Sequence, residues 1–274
     1  MSAADPAGGL DPHAHAQRLL TRGYTCVPGL LSGAQIDVIR QGLQALWIEA
    51  GRPHLHARED RCVGESDLIV SPVGMAVSGL LRRIPQVRTC LLLPELHEIF
   101  AAVFGPGYRL EIVVGVVSDA ERAFFRWHHH VGGIDADDYR SQRIYPRFSR
   151  SERLVCTLYG CPLDDEYGTM QIVPRRIDEP CDPPVGDLHQ PGRGRGGEVD
   201  ELRLSAGSAV LIEQATWHAV TPMRRPGQRH FMAFYVTRGD AAPTRRRDPA
   251  LDEAFERYPE LGRWFVPAHP RRDP

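Results

Sequence analysis

The sequence predicts an α+β protein, with helices in the N-terminal part and a β-sandwich or jelly roll in the C-terminal part. Two observations lead to this prediction. Before about residue 105, apolar residues recur at helical spacing. After residue 106, short runs rich in β-branched and aromatic residues alternate with turn-rich loops. Helices followed by many short strands are typical of an α+β fold whose sheets pack face to face.

The N-terminal part reads as helix, short strand and helix. The run GYTCVPGLL is the strand with its turn, and Ser32 precedes the second helix. Apolar residues lie on one face of that helix: Ile36, Ile39, Leu43 and Leu46. Residues 52–78 are rich in glycine, proline and charge, and we expect them to be irregular. The run VSGLLRRIPQVRTCLLLPELHEIFAAVFG is expected to be mostly helical, with breaks near Pro85 and Pro94.

Five later segments have the composition of β-strands. They are YRLEIVVGVVS, RLVCTLYGCPL, TMQIVP, ELRLSAGSAVLIE and RHFMAFYVTRG. We place helices and strands in one domain over residues 13–240, helical over 13–105 and a jelly roll over 106–240. Residues 1–12 are expected to form a flexible tail, and residues 241–274 a C-terminal extension.

Composition excludes several classes of protein. The formal net charge of -2 over 274 residues gives no indication of nucleic acid or a membrane surface as a partner. No run reaches the roughly 18 apolar residues of a membrane span. The N-terminus has neither the basic nor the apolar segment of a secretory signal. We therefore expect a cytoplasmic protein whose six cysteines are reduced.

Missing residue types and motifs exclude further chemistry. The chain has no lysine, which excludes Schiff-base catalysis and a P-loop. It has no GxSxG and no HExxH, so nothing supports a hydrolase. A GxGxxG pattern within PGRGRGGE has no strand before it, and we interpret it as a loop. The basic run YRSQRIYPRFSRSER is interpreted as a solvated loop, or alternatively as a lid over an anionic substrate group.

Three consecutive histidines in RWHHHVGG are the strongest candidates for chemistry. If residues 124–131 form a strand, His128 and His130 point to one side and His129 to the other. A pair of histidines at this spacing can bind a metal, with a third ligand from elsewhere. The candidate for that ligand is His218, which ends the apolar run GSAVLIEQATWH.

Arg229 opens the strand that follows His218. It would share one strand face with Phe231, Ala233 and Tyr235. An arginine that faces an interior needs an anionic partner, because an unpaired buried charge is costly. A bound carboxylate, held by two parallel hydrogen bonds from the guanidinium, would satisfy it.

These motifs, in this order, resemble the phytanoyl-CoA dioxygenase family of Fe(II)/2-oxoglutarate oxygenases, from about residue 16 to 238. LLTRGYTCVPGLLSGAQIDVIRQGL is similar to the family's opening, and RWHHH lies where the family has a Trp-His-x-Asp iron motif. DDEYGTMQIVPRR is similar to the family's NG.l.vvPGSH segment. GSAVLIEQATWHAV and RPGQRHFMAFYV resemble the segments that hold the distal iron histidine and the arginine that binds the cosubstrate.

The resemblance implies a double-stranded β-helix that uses Fe(II), 2-oxoglutarate and O2. It makes His128 and His218 iron ligands, and it makes Arg229 the residue that binds the distal carboxylate of 2-oxoglutarate. The family's carboxylate ligand falls on His130, which is a departure from the usual two histidines and one carboxylate.

Three interpretations of that departure stay open. In the first, His130 is the third ligand. In the second, an acid of GGIDADD takes the place, with Asp135 the best candidate and Asp137 and Asp138 behind it. In the third, His130-Val131-Gly132 resembles the His-x-Gly of iron-dependent halogenases, in which chloride fills the vacated position.

Other candidates are weaker. Thr157, Tyr159 and Gln171 would hydrogen-bond the cosubstrate if their strands present them to the interior. Trp127 and Trp217 are expected to pack the barrel and to have no role in chemistry. His54 and His56 are expected to be exposed loop residues. A role in a substrate lid is the alternative for the second pair.

The expected function is hydroxylation of a small molecule of specialised metabolism, with release of succinate and CO2. Halogenation, or another oxidation at the altered metal site, is the first alternative and would depend on chloride. A cupin-like protein that binds a small ligand without catalysis is the second, and it would form no succinate.

Overall fold

The structure is a computed structural model of the whole chain. It describes residues 10–63, 65–131, 147–180, 184, 187–190, 198–242 and 248–267. The GxGxxG loop, Asp135, Asp137 and Asp138 lie outside these described residues.

The N-terminal helices begin and end where local sequence signals predict. Their bounds are α1 Pro12–Arg22, α2 Gly33–Glu49, α3 Leu80–Arg83, α4 Arg88–Leu91 and α5 Pro94–Phe104, with a 3-10 turn at Pro85–Val87. The Asp11 side chain accepts hydrogen bonds from the first turn of α1, and Gly23 ends that helix at φ 74°. Ser32 and Gln35 form a capping box at the start of α2. The predicted breaks near Pro85 and Pro94 are confirmed.

The strands form two antiparallel sheets. Their bounds are β1 Tyr24–Val27, β2 Arg61–Val63, β3 Glu65–Ser71, β4 Gly74–Val77, β5 Arg109–Asp119, β6 Phe125–His128, β7 Arg153–Tyr159, β8 Met170–Ile172, β9 Asp200–Leu202, β10 Ala209–Glu213, β11 His218–Val220, β12 Gln228–Thr237 and β13 Val266–Pro267. In the described part of the chain, the major sheet has the order β1-β10-β7-β12-β5-β4-β3-β2, and β13 pairs with β5 in parallel. The minor sheet has the order β6-β11-β8-β9.

The two faces of the major sheet have different neighbours. Met232, Phe234 and Val236 on β12 pack with residues of the N-terminal helices in the main core. The alternate residues of the same strand face the other way, and Ala233 and Tyr235 pack among residues of β5 and β7. On that second face, Tyr159, Val210 and Ile212 meet Met170, Ile172 and Leu202 of the minor sheet. The two sheets therefore enclose a barrel whose outer side carries the helices, as predicted for a jelly roll.

Residues 52–78 are wrongly predicted as irregular, because they contain β2, β3 and β4. These strands extend the major sheet beyond β5. They are three to seven residues long, and charge interrupts them. Asp67 on β3 is buried and accepts an ion pair from Arg82 at 2.8 Å, so a residue that suggested a loop lies in a strand.

The C-terminal segment packs on the domain where it is described. The helix Pro249–Arg257 places Leu251 and Ala254 in the main core, and β13 lies beside the start of β5. The limits of the tail and of the C-terminal extension stay predictions. Among the described residues, no helix combines the length and the apolar composition that crossing a membrane requires.

Candidate metal centre

Three histidines converge inside the barrel. His128 ends β6 and lies directly opposite His218, the first residue of β11, so the antiparallel register turns both side chains to the same face. His130 follows two residues after His128 and reaches the same point. One nitrogen from each of the three rings lies within 4.8 Å of the others. Nε2 of His130 is 3.2 Å from Nε2 of His218, a spacing that suits two ligands of one metal ion.

Backbone carbonyls fix the rings of two of these histidines. Nδ1 of His128 is 2.9 Å from the carbonyl of Arg126, and Nδ1 of His218 is 3.0 Å from the carbonyl of Thr216. A ring nitrogen that faces a carbonyl must carry the proton and donate it. Nε2 of each ring is then a lone-pair donor, as a metal ligand must be.

His130 is oriented by a tyrosine and by the chain on its other side. Its backbone N–H donates to the carbonyl of Gln214 at 2.7 Å. Its Nδ1 is 3.3 Å from the hydroxyl of Tyr235, which projects from β12. Burial raises the pKa of Tyr235, so the phenol stays protonated at neutral pH. Gln214 is itself held by Arg153, whose Nη1 donates to Oε1 of Gln214 at 3.0 Å.

His129 points away from the other two rings, as the alternation predicts. Its ring packs edge-on against Trp217 at 4.7 Å between ring centres. Trp127 and Trp217 are fully buried in a cluster with Val173 and Ala219. The prediction that both tryptophans serve packing is therefore confirmed.

We name the point where His128, His130 and His218 meet the histidine end of the barrel. The arginine end lies around Arg229 on β12, whose side chain is buried to 2 % exposure. Its Nη1 donates to the carbonyl of Tyr167 at 3.4 Å. Its guanidinium carbon lies 5.4 Å from the ring centre of Tyr159 and 5.6 Å from that of Phe231.

The arginine end has polar atoms that the protein leaves unsatisfied. Nε of Arg229 is buried without a hydrogen-bond partner among the described residues. Ser118 of β5 is the register partner of Arg229, and its buried hydroxyl is also unpartnered within the same residues. Burial lowers the pKa of Arg229, because a desolvated guanidinium with no acid beside it is unfavourable. A bound anion would satisfy both groups.

Small side chains lie between the two ends. Ala233 lies on β12 between Phe231 and Tyr235 on the same face, and its partner on β7 is Thr157. Thr157 and Tyr159 both point into the barrel, as the sequence-based hypothesis requires. Burial raises the pKa of Tyr159 to about 12, so its hydroxyl is a neutral donor.

Gln171 does not point into the barrel. Its neighbours Met170 and Ile172 on β8 pack in the interior cluster. Its register partner is Ala219, which belongs to the tryptophan cluster on the opposite face. Because side chains alternate along a strand, Gln171 faces away from the proposed cosubstrate site, and we withdraw it as a cosubstrate ligand.

His54 and His56 differ in how far their side chains are exposed. The side chain of His54 is 61 % exposed and lies 2.6 Å from Glu121, as expected for a surface residue. The side chain of His56 is only 12 % exposed, and its Nε2 is 2.8 Å from Asp119. The expectation of exposure is wrong for His56, because it packs against the end of β5.

Sequence reasoning overlooked Ser118 and Arg122. Ser118 directly follows the apolar run of β5 and precedes Asp119, and Arg122 follows Glu121 and lies two residues before Phe124. Both belong to the mostly polar stretch SDAER, so the local sequence carries no signal that either side chain is buried. Neither position could be assigned to the interior without the register of β5 against β12.

The donor set fits a divalent transition metal. Three imidazoles, two of them with Nδ1 facing a backbone carbonyl, bring one nitrogen each within 4.8 Å of the others, and imidazole is a common ligand of such ions. The buried guanidinium at the other end fits the distal carboxylate of a 2-oxo dicarboxylic acid. The residues present are therefore suited to a metal ion and an anionic cosubstrate together.

Comparison with protein family models and with curated protein sequences finds no match. Solved structures do match. SnoK, a non-heme α-ketoglutarate-dependent carbocyclase from nogalamycin biosynthesis, is similar with a TM-score of 0.61 and 17 % identity, over 90 % of this chain and 94 % of SnoK. AviO1 from Streptomyces viridochromogenes Tue57 is similar with a TM-score of 0.61 and 18 % identity, over 87 % of this chain and all of AviO1 (100 %).

A third similar structure contains bound ligands. HygX from Streptomyces hygroscopicus, with nickel, 2-oxoglutarate and hygromycin B bound, has a TM-score of 0.56 and 15 % identity, over 86 % of this chain and 88 % of HygX. The chain thus has the fold of non-heme α-ketoglutarate-dependent enzymes, which confirms the predicted double-stranded β-helix. At these identities the likeness concerns the fold, and activity has to be argued from the site.

Proposed function

We propose that this chain is an Fe(II)- and 2-oxoglutarate-dependent oxygenase that oxidises a C–H bond of a small molecule. One observation carries the proposal: three convergent histidines at one end of the barrel, and a buried arginine without an acidic partner in the described chain at the other. A metal alone would explain the first group and an anion alone the second. A cosubstrate that chelates the metal and carries a distal carboxylate explains both.

His128, His130 and His218 would hold the iron. With only three protein ligands, the site would leave room for the cosubstrate and O2, which this class of reaction needs. When bound, Fe(II) and 2-oxoglutarate supply an oxidant for a C–H bond, and O2 is consumed as 2-oxoglutarate becomes succinate and CO2. The protein contributes position, orientation and the exclusion of water.

Arg229 would bind the distal carboxylate and so fix the direction of the cosubstrate. The Ser118 hydroxyl and the neutral phenol of Tyr159 lie at the same end and can donate to that carboxylate. Thr157 and Ala233 are register partners, and their small side chains would lie beside the bound cosubstrate. Buried surroundings strengthen the pairing of the guanidinium with the carboxylate, because little water competes for either group.

The substrate proposed is a small molecule of specialised metabolism. In the HygX structure hygromycin B is bound together with nickel and 2-oxoglutarate. Hydroxylation is the outcome we propose, and two similar structures, those of the carbocyclase SnoK and the epimerase SnoN, belong to enzymes with other outcomes. We keep the cytoplasm as the expected location.

Halogenation is favoured by a single observation, the lack of a carboxylate ligand in the described triad. A halide needs the position that the missing carboxylate leaves, but here a third imidazole stands close to the other two. We therefore place halogenation second. It becomes the better account only if His128 or His130 does not bind the metal.

Succinate formation tests the proposal. Protein loaded with Fe(II) under anaerobic conditions is mixed with 2-oxoglutarate and O2, and succinate is compared between wild type and His218→Ala. We expect succinate from the wild type without any need for chloride, and almost none from the variant. A strict chloride requirement would favour halogenation. A wild type that binds no iron and forms no succinate would favour a non-catalytic binding protein.

A further inference from the structure

A second buried arginine lies at the arginine end. Arg122 is in the turn after β5 and is 3 % exposed. Its guanidinium donates to the carbonyls of Thr221 at 2.6 Å and of Val220 at 3.3 Å. Val220 ends β11, the strand that begins at His218. Arg122 therefore holds the far end of the strand that carries a proposed metal ligand.

Among the residues that the structure describes, no carboxylate pairs with Arg122. No ion pair within 4 Å joins it or Arg229 to a carboxylate in the described ranges, and its bonds to carbonyls leave its full positive charge in place. Burial and then the neighbouring Arg229 lower the pKa of Arg122 to about 9. The carbonyls that these arginines bind are also close, because Thr169, two residues after Tyr167, donates its N–H to Oγ1 of Thr221 at 2.7 Å. The two guanidinium groups therefore lie in one buried region and repel each other.

Two uncompensated cations in one buried region are unfavourable unless an anion joins them. Hydrogen bonds from Arg122 already go to backbone carbonyls, while Nε of Arg229 and the hydroxyl of Ser118 await a partner. Arg229 and Ser118 are therefore the residues that would donate hydrogen bonds to a bound anion. The contribution of Arg122 is its charge, together with the fixed position of β11.

We propose that Arg122 is a positioning residue that makes the arginine end selective for a cosubstrate with an ionised distal carboxylate. This inference rests on the proposed function, since it concerns the same cosubstrate. Arg122 acts through the electrostatic potential at Arg229. It should therefore discriminate 2-oxoglutarate from a 2-oxo acid of the same length that has a methyl group in place of the distal carboxylate.

The test measures binding rather than turnover. Metal-loaded protein is titrated without O2, by calorimetry, with 2-oxoglutarate and with 2-oxopentanoate, for wild type, Arg122→Gln and Arg122→Lys. Arg225→Gln is the control, because Arg225 is an exposed arginine in the loop between β11, whose end Arg122 holds, and β12, which carries Arg229. We expect Arg122→Gln to weaken the binding of 2-oxoglutarate by about tenfold, which is the effect of one unit charge roughly 12 Å from another at an effective dielectric constant near 20. Binding of 2-oxopentanoate should not change.

Arg122→Lys should recover most of the discrimination, because it keeps the charge and loses only the fork of donors. If Arg122→Gln does not fold, the lysine variant alone decides: retained preference for 2-oxoglutarate supports the inference, and lost preference overturns it. Equal weakening of both acids would mean a structural role and would also overturn it. A wild type that binds neither acid would overturn the proposed function itself, whereas unchanged discrimination in Arg122→Gln overturns this inference alone.

Discussion

The two ends of the barrel differ in how completely the protein satisfies its own polar groups. At the histidine end, carbonyls of Arg126 and Thr216 accept the Nδ1 protons of His128 and His218. At the arginine end, buried guanidinium groups stand beside an unpartnered hydroxyl, with no acid nearby in the described chain. The first end is preorganised at little cost, while the second carries an electrostatic penalty until an anion binds. Metal and cosubstrate should therefore affect this protein differently.

The largest expected effect is at the histidine end. His218→Ala should lower Fe(II) affinity by more than about 100-fold, since even outer-shell partners of a metal site are worth roughly 10- to 100-fold. Anaerobic calorimetry with Fe(II) measures it. His129→Gln is the matched control, because His129 is a buried neighbour that faces Trp217. Equal loss in both variants would mean that the histidines serve packing.

The second prediction distinguishes the arginine end from the histidine end by their effects on cosubstrate and metal binding. Arg229→Ala should weaken 2-oxoglutarate binding by roughly 30- to 5,000-fold, the equivalent of about 2–5 kcal/mol for one partner of a buried charge pair. Metal affinity should stay at the wild-type value. Exposed Arg225 again supplies the control, as Arg225→Ala. A variant with unchanged 2-oxoglutarate affinity would remove Arg229 from the cosubstrate site.

A stability measurement sharpens the same comparison. Arg229→Met keeps the volume and removes the unpaired charge, so the ligand-free protein should gain about 1–4 kcal/mol in free energy of unfolding. Denaturant unfolding without metal or 2-oxoglutarate measures this gain. His218→Gln should show no comparable gain in free energy of unfolding, because the carbonyl of Thr216 already accepts the Nδ1 proton of His218. A less stable Arg229→Met protein would indicate that Arg229 is compensated within the fold.

The smallest effect concerns the orientation of His130. Tyr235→Phe removes the hydroxyl 3.3 Å from Nδ1 of His130 and should lower metal affinity by about tenfold. Tyr159→Phe is the crossed control, since Tyr159 lies beside Arg229 and should affect 2-oxoglutarate more than metal. Both affinities are measured by the same anaerobic titrations. An effect of Tyr235→Phe on 2-oxoglutarate alone would contradict the role given to this hydroxyl.

Much of this arrangement could be predicted from the sequence. The cap at Ser32, the helix breaks at prolines and the strand-like runs placed most elements, whereas Asp11, predicted to lie in the flexible tail, caps α1. The order of RWHHH, His218 and Arg229 placed the candidate residues. The inward face of β12 also followed from alternation, because ten residues of strand define its phase clearly.

The errors have physical causes. Gln171 lies on a strand of three residues, and such a short strand does not reveal its phase, so a shift of one residue reverses the face. β3 contains the buried Asp67, whose ion pair with Arg82 could not be inferred from composition. The burial of Arg122 and Ser118 beside Arg229 depends on how β5, β11 and β12 pair or pack in the fold. Local sequence patterns do not specify that pairing.

The most direct test of the central claim is the visible charge-transfer band that forms when 2-oxoglutarate chelates Fe(II) in the protein without O2. It is recorded for wild type, His130→Ala, His129→Gln and Asp135→Ala. Our account predicts the band in wild type, in His129→Gln and in Asp135→Ala, and its loss in His130→Ala. A band that survives in His130→Ala and disappears in Asp135→Ala would contradict the three-histidine site, and a wild type without any band would contradict the oxygenase assignment.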